Sequence, residues 1–171
     1  MERISTTTTH EGMLSTVRVD EFRYDDGETA EREIVAHPGA VAIVAHDDHV
    51  VHMVRQPREA VGEESLLELP AGKLDVEGES PLDCAKRELV EEVGIEAGEW
   101  EELTRFYSSP GFTDEQVFLF VATDLTKVEA QPTEGERIEI VEVPLVNLEP
   151  AIEECEDAKS LVGLLLLRAR L

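Results

Sequence analysis

LELPAGKLDVEGESPLDCAKRELVEEVGI, residues 67–95, is the stretch from which the rest of the chain takes its place. It begins as the end of a strand, continues as a glycine-containing loop, and over 81–93 takes the pattern of an amphipathic helix. Ser80 is placed to cap that helix, and Pro81 fits a first turn whose amides have no acceptor to lose. Asp83 stands where a capping-box acid stands. Gly94 supplies a left-handed stop. Leu82, Ala85, Leu89 and Val93 recur at helical spacing and are assigned to the core. Glu88, Glu91 and Glu92 fall on another face, no more than a turn apart, where like charges repel. A hard divalent cation reverses that repulsion, because it seeks carboxylate oxygens. Arg87, four residues before Glu91, is placed to hold that carboxylate.

A pair of glutamates alone says little, since Glu-Glu also occurs at 63–64, 101–102 and 153–154, where a solvated face is the simpler reading. Context separates this pair from the others. Residues 87–95, RELVEEVGI, resemble the core of the Nudix box at each fixed position, and Glu79 lies eight residues before Arg87 as in that box. Gly72 stands for the box glycine, but six residues separate it from Glu79, one more than the usual spacing.

Length and composition suit a folded domain with a sizeable core: 171 residues, 42% of them hydrophobic. No apolar run is long enough for a membrane span, and 161–167 is broken by Gly163. The N-terminus lacks an apolar signal core. Cys84 and Cys155 form no disulfide framework and are read as reduced thiols in helices. A cytoplasmic protein is expected. The charge is unusual, with 39 acidic against 15 basic residues and a formal net charge of −24. Such a surface argues against nucleic-acid and anionic-membrane partners. Any phosphate site must therefore be locally basic or filled with metal. The acids are spread over the whole chain rather than gathered in a tail, which reads as adaptation to high salt; the alternative is an ordinary acidic cytosolic protein.

Residues 1–12 are polar and are expected to fray. Residues 16–24 and 30–36 read as a β-hairpin, too small to stand alone. The main domain is expected over 39–171, after an N-terminal extension over 1–38. Residues 40–45 form a continuous apolar, buried strand, and 50–54 pair back on it. His46, His49 and His52 are scattered by this geometry, which argues against a metal cluster. Arg55 and Arg58 make a basic spot suited to phosphate oxygens; the alternative is surface ion pairing with Glu59 or Glu63. Strands are expected at 100–107, 116–122 and 137–143, the last with Ile138 and Ile140 on one face. A Ser-Pro-Gly segment lies at 108–115 and a long polar connection at 125–136. A helix is expected over 149–171 with a leucine stripe for the core.

Taken together the chain resembles a Nudix hydrolase, and within that superfamily the ADP-ribose pyrophosphatases. Pro110, sixteen positions after Gly94 in its Ser-Pro-Gly segment, matches a marker of that subfamily. LELPAG and the Arg-Gln-x-Arg segment are similar too. The resemblance implies an α/β (α+β) fold, a mixed β-sheet sandwiched between α-helices, with the N-terminal extension as a dimerising element. It implies hydrolysis of ADP-ribose to AMP and ribose 5-phosphate with Mg2+, or Mn2+ in its place. Glu88 and Glu92 are then metal ligands, with Glu91 close by and the Ala71 carbonyl completing the shell. Arg87 orients these acids. Arg58, with Arg55 beside it, meets a phosphate, Glu115 contacts the ribose or adenosine side, and Pro110 is counted with the substrate-binding residues. Glu134 is assigned as base and Glu136 as metal ligand, with Glu139 the nearby alternative. Arg32 reaches the substrate across a homodimer. Two alternatives stay open: a Nudix enzyme for NADH, a nucleotide sugar or a dinucleoside polyphosphate, and a non-catalytic ADP-ribose-binding module.

The high-salt reading is tested by thermal melting. Raising the ionic strength to about 1 M shortens the screening length to about 3 Å, so the melting temperature should rise markedly between dilute buffer and molar KCl. A flat profile would count against it.

Overall fold

A computed structural model describes residues 1–12, 15–130 and 137–171. The chain opens with a three-stranded antiparallel sheet: β1 (Glu2–Glu11), β2 (Thr16–Arg23) and β3 (Thr29–Ala36), in that spatial order. The first strand corrects the expectation of a frayed terminus. Its run of β-branched threonines favours extended backbone, and it pairs with β2 from Glu2 opposite Arg23 to Glu11 opposite Thr16. Asp20 is buried in this sheet, held by Arg3, Arg18 and Thr6. The extension is thus a sheet rather than a hairpin.

A seven-stranded mixed sheet follows. Its axis is β4 (Ala40–His46), whose apolar run is covered on both faces. It hairpins into β5 (Val50–Arg58), pairs antiparallel with β7 (Ala71–Lys73), and lies parallel to β9 (Gln116–Lys127). An unforeseen strand, β6 (Glu63–Glu68), pairs with β5. The outer strands are β8 (Ile95–Tyr107) and β10 (Glu139–Pro144). β8 starts directly after Gly94, five residues before the expected position. On β10 one core takes Val141 and Val143, while Ile140 stays 46% exposed on this edge strand.

Alternate residues of β4 feed two cores. Val41, Ile43 and Ala45 pack with Ala85, Leu89 and Val93 of helix α1 (Pro81–Val93). Ala42 and Val44 pack with Leu164 and Leu167 of helix α3 (Ala158–Arg168). The expected single C-terminal helix is divided. A short α2 (Glu149–Glu154) ends at Cys155, whose extended backbone places it between helices, and Asp157 caps α3 by accepting the Ser160 N–H at 3.0 Å. A Cβ added at Gly163 would collide with Leu69, so glycine lets α3 settle close on the sheet.

The N-terminal sheet is tied to the 108–115 segment. Val35 N–H donates to the Phe112 carbonyl at 2.8 Å, and Asp114 accepts from His37 N–H and Arg18, each at 2.8 Å.

Leu164 is fully buried, so Leu164→Ala should cost about 2–5 kcal/mol by lost transfer energy and an unfilled cavity. Urea unfolding should show a lower midpoint at unchanged slope; a loss below about 1 kcal/mol would contradict its place in the core.

Candidate active site

Helix α1 carries one wall of a cleft of about 590 Å³, a size that suits a nucleotide-scale ligand. Ser80 accepts the Asp83 N–H at 3.1 Å, and the Asp83 carboxylate takes the Ser80 hydroxyl at 2.6 Å. The helix closes at Gly94 with φ 68°. This fixes which turn presents each charge.

Arg87 sits among the carboxylates. Its Nε and Nη2 donate to the two oxygens of Glu79, each at 3.0 Å. Its Nη1 donates to Glu88 at 2.7 Å and Glu91 at 2.9 Å. One guanidinium therefore joins three acids. Hydrogen bonding by Arg87 holds the Glu79 carboxyl below its usual value. The acids in turn raise the Arg87 guanidinium, hydrogen bonding by Glu79 contributing most.

Glu92 is 7% exposed and accepts the Ala71 N–H at 3.0 Å. Gly72, the next residue, lies against Glu88, and a Cβ there would collide with that carboxyl. The requirement for glycine here is steric. The extra residue between Gly72 and Glu79 is absorbed in the loop, where Gly78 adopts φ 81° with open space around it. Both ends of the loop still contact α1.

The facing wall carries two cations, each paired with acids. Arg58 Nε and Nη2 bind the Glu68 carboxylate at 2.5 and 2.7 Å, and Lys159 Nζ binds it at 2.8 Å. Burial opposes the charge on Glu68, but Arg58 and Lys159 outweigh it and keep the carboxyl below its ordinary value. Lys159 also meets Asp157 at 2.9 Å. Arg58 thus pairs with neither Glu59 nor Glu63. Sequence reasoning missed Glu68 and Lys159, which lie 91 positions apart and offer no local spacing signal.

Glu115 lines the same cleft, 3.6 Å from His37 Nδ1. Three other expected site residues lie elsewhere. Arg55 binds Glu154 at 2.5 Å and lines a separate hollow with Arg137 and Glu139. Arg32 and Pro110 line another, of about 390 Å³, where the N-terminal sheet meets the Ser-Pro-Gly segment. Glu134 and Glu136 lie outside the described residues.

Among the described residues no group of three His, Cys, Asp or Glu side chains converges tightly enough to hold a metal ion as it stands. The donors on the α1 wall are nevertheless all oxygen, from Glu88, Glu91, Glu92 and the Ala71 backbone. That set fits a hard divalent cation and not a soft one. Both cysteines are buried, and burial pushes the Cys84 thiol up to about 12 and raises Cys155 as well. Neither suits a nucleophile.

The NUDIX domain family matches residues 35–162. The chain is 48% identical over 128 residues to an ADP-ribose pyrophosphatase of Mycobacterium tuberculosis, covering 74% of this chain but only 61% of that protein's length. It is 40% identical over 157 residues to a methanol dehydrogenase activator of Bacillus methanolicus, covering 89% of this chain and 84% of that one. An ADP-ribose pyrophosphatase of Bacillus subtilis is 41% identical over 155 residues, covering 87% and 82%. The fold superposes on the crystal structure of an ADP compounds hydrolase with a TM-score of 0.86 at 26% identity, covering 99% of this chain and 93% of that one.

The Arg87 pairing has a pH signature. A carboxyl held low in the folded state stabilises above its unfolded value, about 4.3 for Glu, and that stability is lost as pH falls through the folded value. Arg87→Met should lower the unfolding free energy at pH 7, with the deficit shrinking as pH drops below about 4. Urea titrations at both pH values check this, and a deficit independent of pH would contradict it.

Proposed function

The chain belongs to the Nudix hydrolases, and from that premise we propose that its cleft hydrolyses the pyrophosphate of ADP-ribose to AMP and ribose 5-phosphate. The observation that supports this most is the division of charge: oxygen donors on α1 face Arg58 and Lys159 across one cleft. A diphosphate needs both, a divalent cation on one side and fixed cations on the other.

Glu88, Glu91 and Glu92 would hold Mg2+ or Mn2+, with Ala71 supplying a backbone oxygen. The bound ion would neutralise the bridge and lower the pKa of a water. Arg87 restrains Glu88 and Glu91 so that their oxygens stay near one another when the ion is absent. Arg58, already oriented by Glu68, offers its remaining nitrogen, Nη1, to a phosphate oxygen. Glu115 suits a ribose hydroxyl at the far end of the cleft. By family resemblance, Glu134 would take the proton of the attacking water, with Glu136 beside the ion. Water attacks one phosphorus, and the bridging oxygen leaves with the other phosphate.

The N-terminal sheet, residues 1–38, is proposed as the dimerising element, bringing Arg32 and Pro110 toward a partner's substrate. No described helix is long and apolar enough to cross a membrane, and a cytoplasmic location is proposed. The acidic surface argues for small-molecule rather than nucleic-acid partners.

AMP release from ADP-ribose should exceed that from NADH and nucleotide sugars in a side-by-side panel with Mg2+; equal or faster turnover of NADH would reject the substrate. Glu92→Gln, which keeps an acceptor for the Ala71 N–H, should cut turnover at least about a hundredfold while leaving the melting temperature within a few degrees. Full activity would remove Glu92 from the metal site.

A further inference from the structure

The chain has four lysines, and two of them, Lys73 and Lys159, line this one cleft while Lys86 and Lys127 do not. That placement matters in a molecule of net charge −24, whose far field repels any polyanion. Inside the cleft Arg87 is already committed to three acids. The cationic heads of the other wall, Arg58 and Lys159, converge on a single oxygen of Glu68, at 2.7 and 2.8 Å.

Two like charges that close repel unless a counter-ion lies between or behind them. Glu68 is fully buried, so it neutralises the pair from behind without presenting a negative face to the cleft. An ammonium has three donors; on Lys159 one goes to Glu68 and one to Asp157, which leaves one for a ligand. Arg58 spends Nε and Nη2 on Glu68 and retains Nη1. Side by side, these two spare donors form a fork for a tetrahedral oxyanion.

We propose that Lys159 is a substrate-binding residue that, with Arg58, grips the diphosphate from the wall facing α1, and that Glu68 is the positioning residue holding both. The inference rests on the diphosphate reading of the cleft and adds a contact that does not require the divalent ion. The fork should therefore bind nucleotide phosphate in the absence of metal.

Isothermal titration in EDTA with α,β-methylene-ADP, AMP and adenosine tests this on the full chain. Lys159→Gln should weaken methylene-ADP and AMP at least about tenfold and leave adenosine unchanged, and Lys159→Arg should restore part of the loss. With Mg2+ and substrate, Lys159→Gln should raise KM with kcat within about threefold, since a contact made equally to substrate and transition state acts on KM. Wild-type affinity in Lys159→Gln, or an equal loss for adenosine, overturns the proposal. If adenine nucleotides do not bind the wild type but the panel reveals another nucleoside diphosphate substrate, ADP-ribose is the part that fails, and the same comparison with that nucleotide decides the role of Lys159. Should Lys159→Gln melt below the assay temperature, acetic anhydride labelling of wild-type Lys159 takes its place. Labelling should fall severalfold with methylene-ADP and stay unchanged with adenosine, and no protection by methylene-ADP overturns the proposal.

Discussion

The site depends on one electrostatic constraint: carboxylates gathered on a single helix face repel, and something cationic must stand among them. In this molecule Arg87 does so, binding Glu79 through both oxygens and reaching Glu88 and Glu91 through its third nitrogen. The planar fork matters, because an ammonium could not serve two oxygens of one acid and two further acids in fixed directions. The cluster is thus neutralised in part and geometrically organised before any ion arrives. The price is that a bound cation must share these acids with a resident guanidinium. Glu92, on the same helix, accepts the Ala71 N–H.

Opposite wall and near wall solve opposite problems with the same device. On α1 an arginine gathers acids; beside α3 the acid Glu68 gathers cations. The two gathering groups differ in burial: Glu68 is 1% exposed beside Arg58 at 42%, whereas Arg87, at 30%, is more exposed than the acids it joins. Burying a lone carboxylate would cost several kcal/mol, and here two hydrogen-bonded cations offset that cost. An acidic molecule can thereby keep two cations fixed in its cleft without relying on its overall field. The same logic explains why the surface acids elsewhere need no cationic partner: solvent and salt screen them.

Much of this was legible in the residues, and the limits have physical causes. The α1 helix, its caps and its charged face rest on neighbours within a few positions, and Ser80, Gly94, Arg87 and Glu91 fall as their spacing implies. The buried β4 strand was equally clear from its apolar run. Contacts that join distant segments left no local trace. Glu68 and Lys159 meet only because α3 docks on the sheet, and nothing in either neighbourhood signals it. The N-terminal strand was hidden by polarity: nearly all of β1 is exposed on both faces, so a polar run with β-branched residues reads as frayed when pairing is not considered. Arg55 and Arg58 look alike in sequence, yet, with a register shift in β5 between Gln56 and Arg58, one meets Glu154 and the other Glu68. The break at Cys155 is visible only once Asp157 is seen capping a second helix.

The two walls are also set at a defined separation, and by very little chain. Glu68, which holds the cations, and Gly72, against which Glu88 rests, are four residues apart, so the backbone between them spans at most about 14 Å. That segment has little freedom. Leu69 N–H is taken by Ser160 at 2.7 Å, the Pro70 carbonyl accepts from Ile43 N–H at 2.9 Å, and Ala71 pairs with Ala42 of β4. Pro70 adds a fixed φ of its own. The acidic wall and the cationic wall are therefore referenced to one short, pinned stretch of main chain rather than to two mobile loops. A diphosphate bridges charges only a few ångströms apart, and geometry of that kind is lost when either wall drifts by about 1 Å. Anchoring both walls to the same five residues makes them move together.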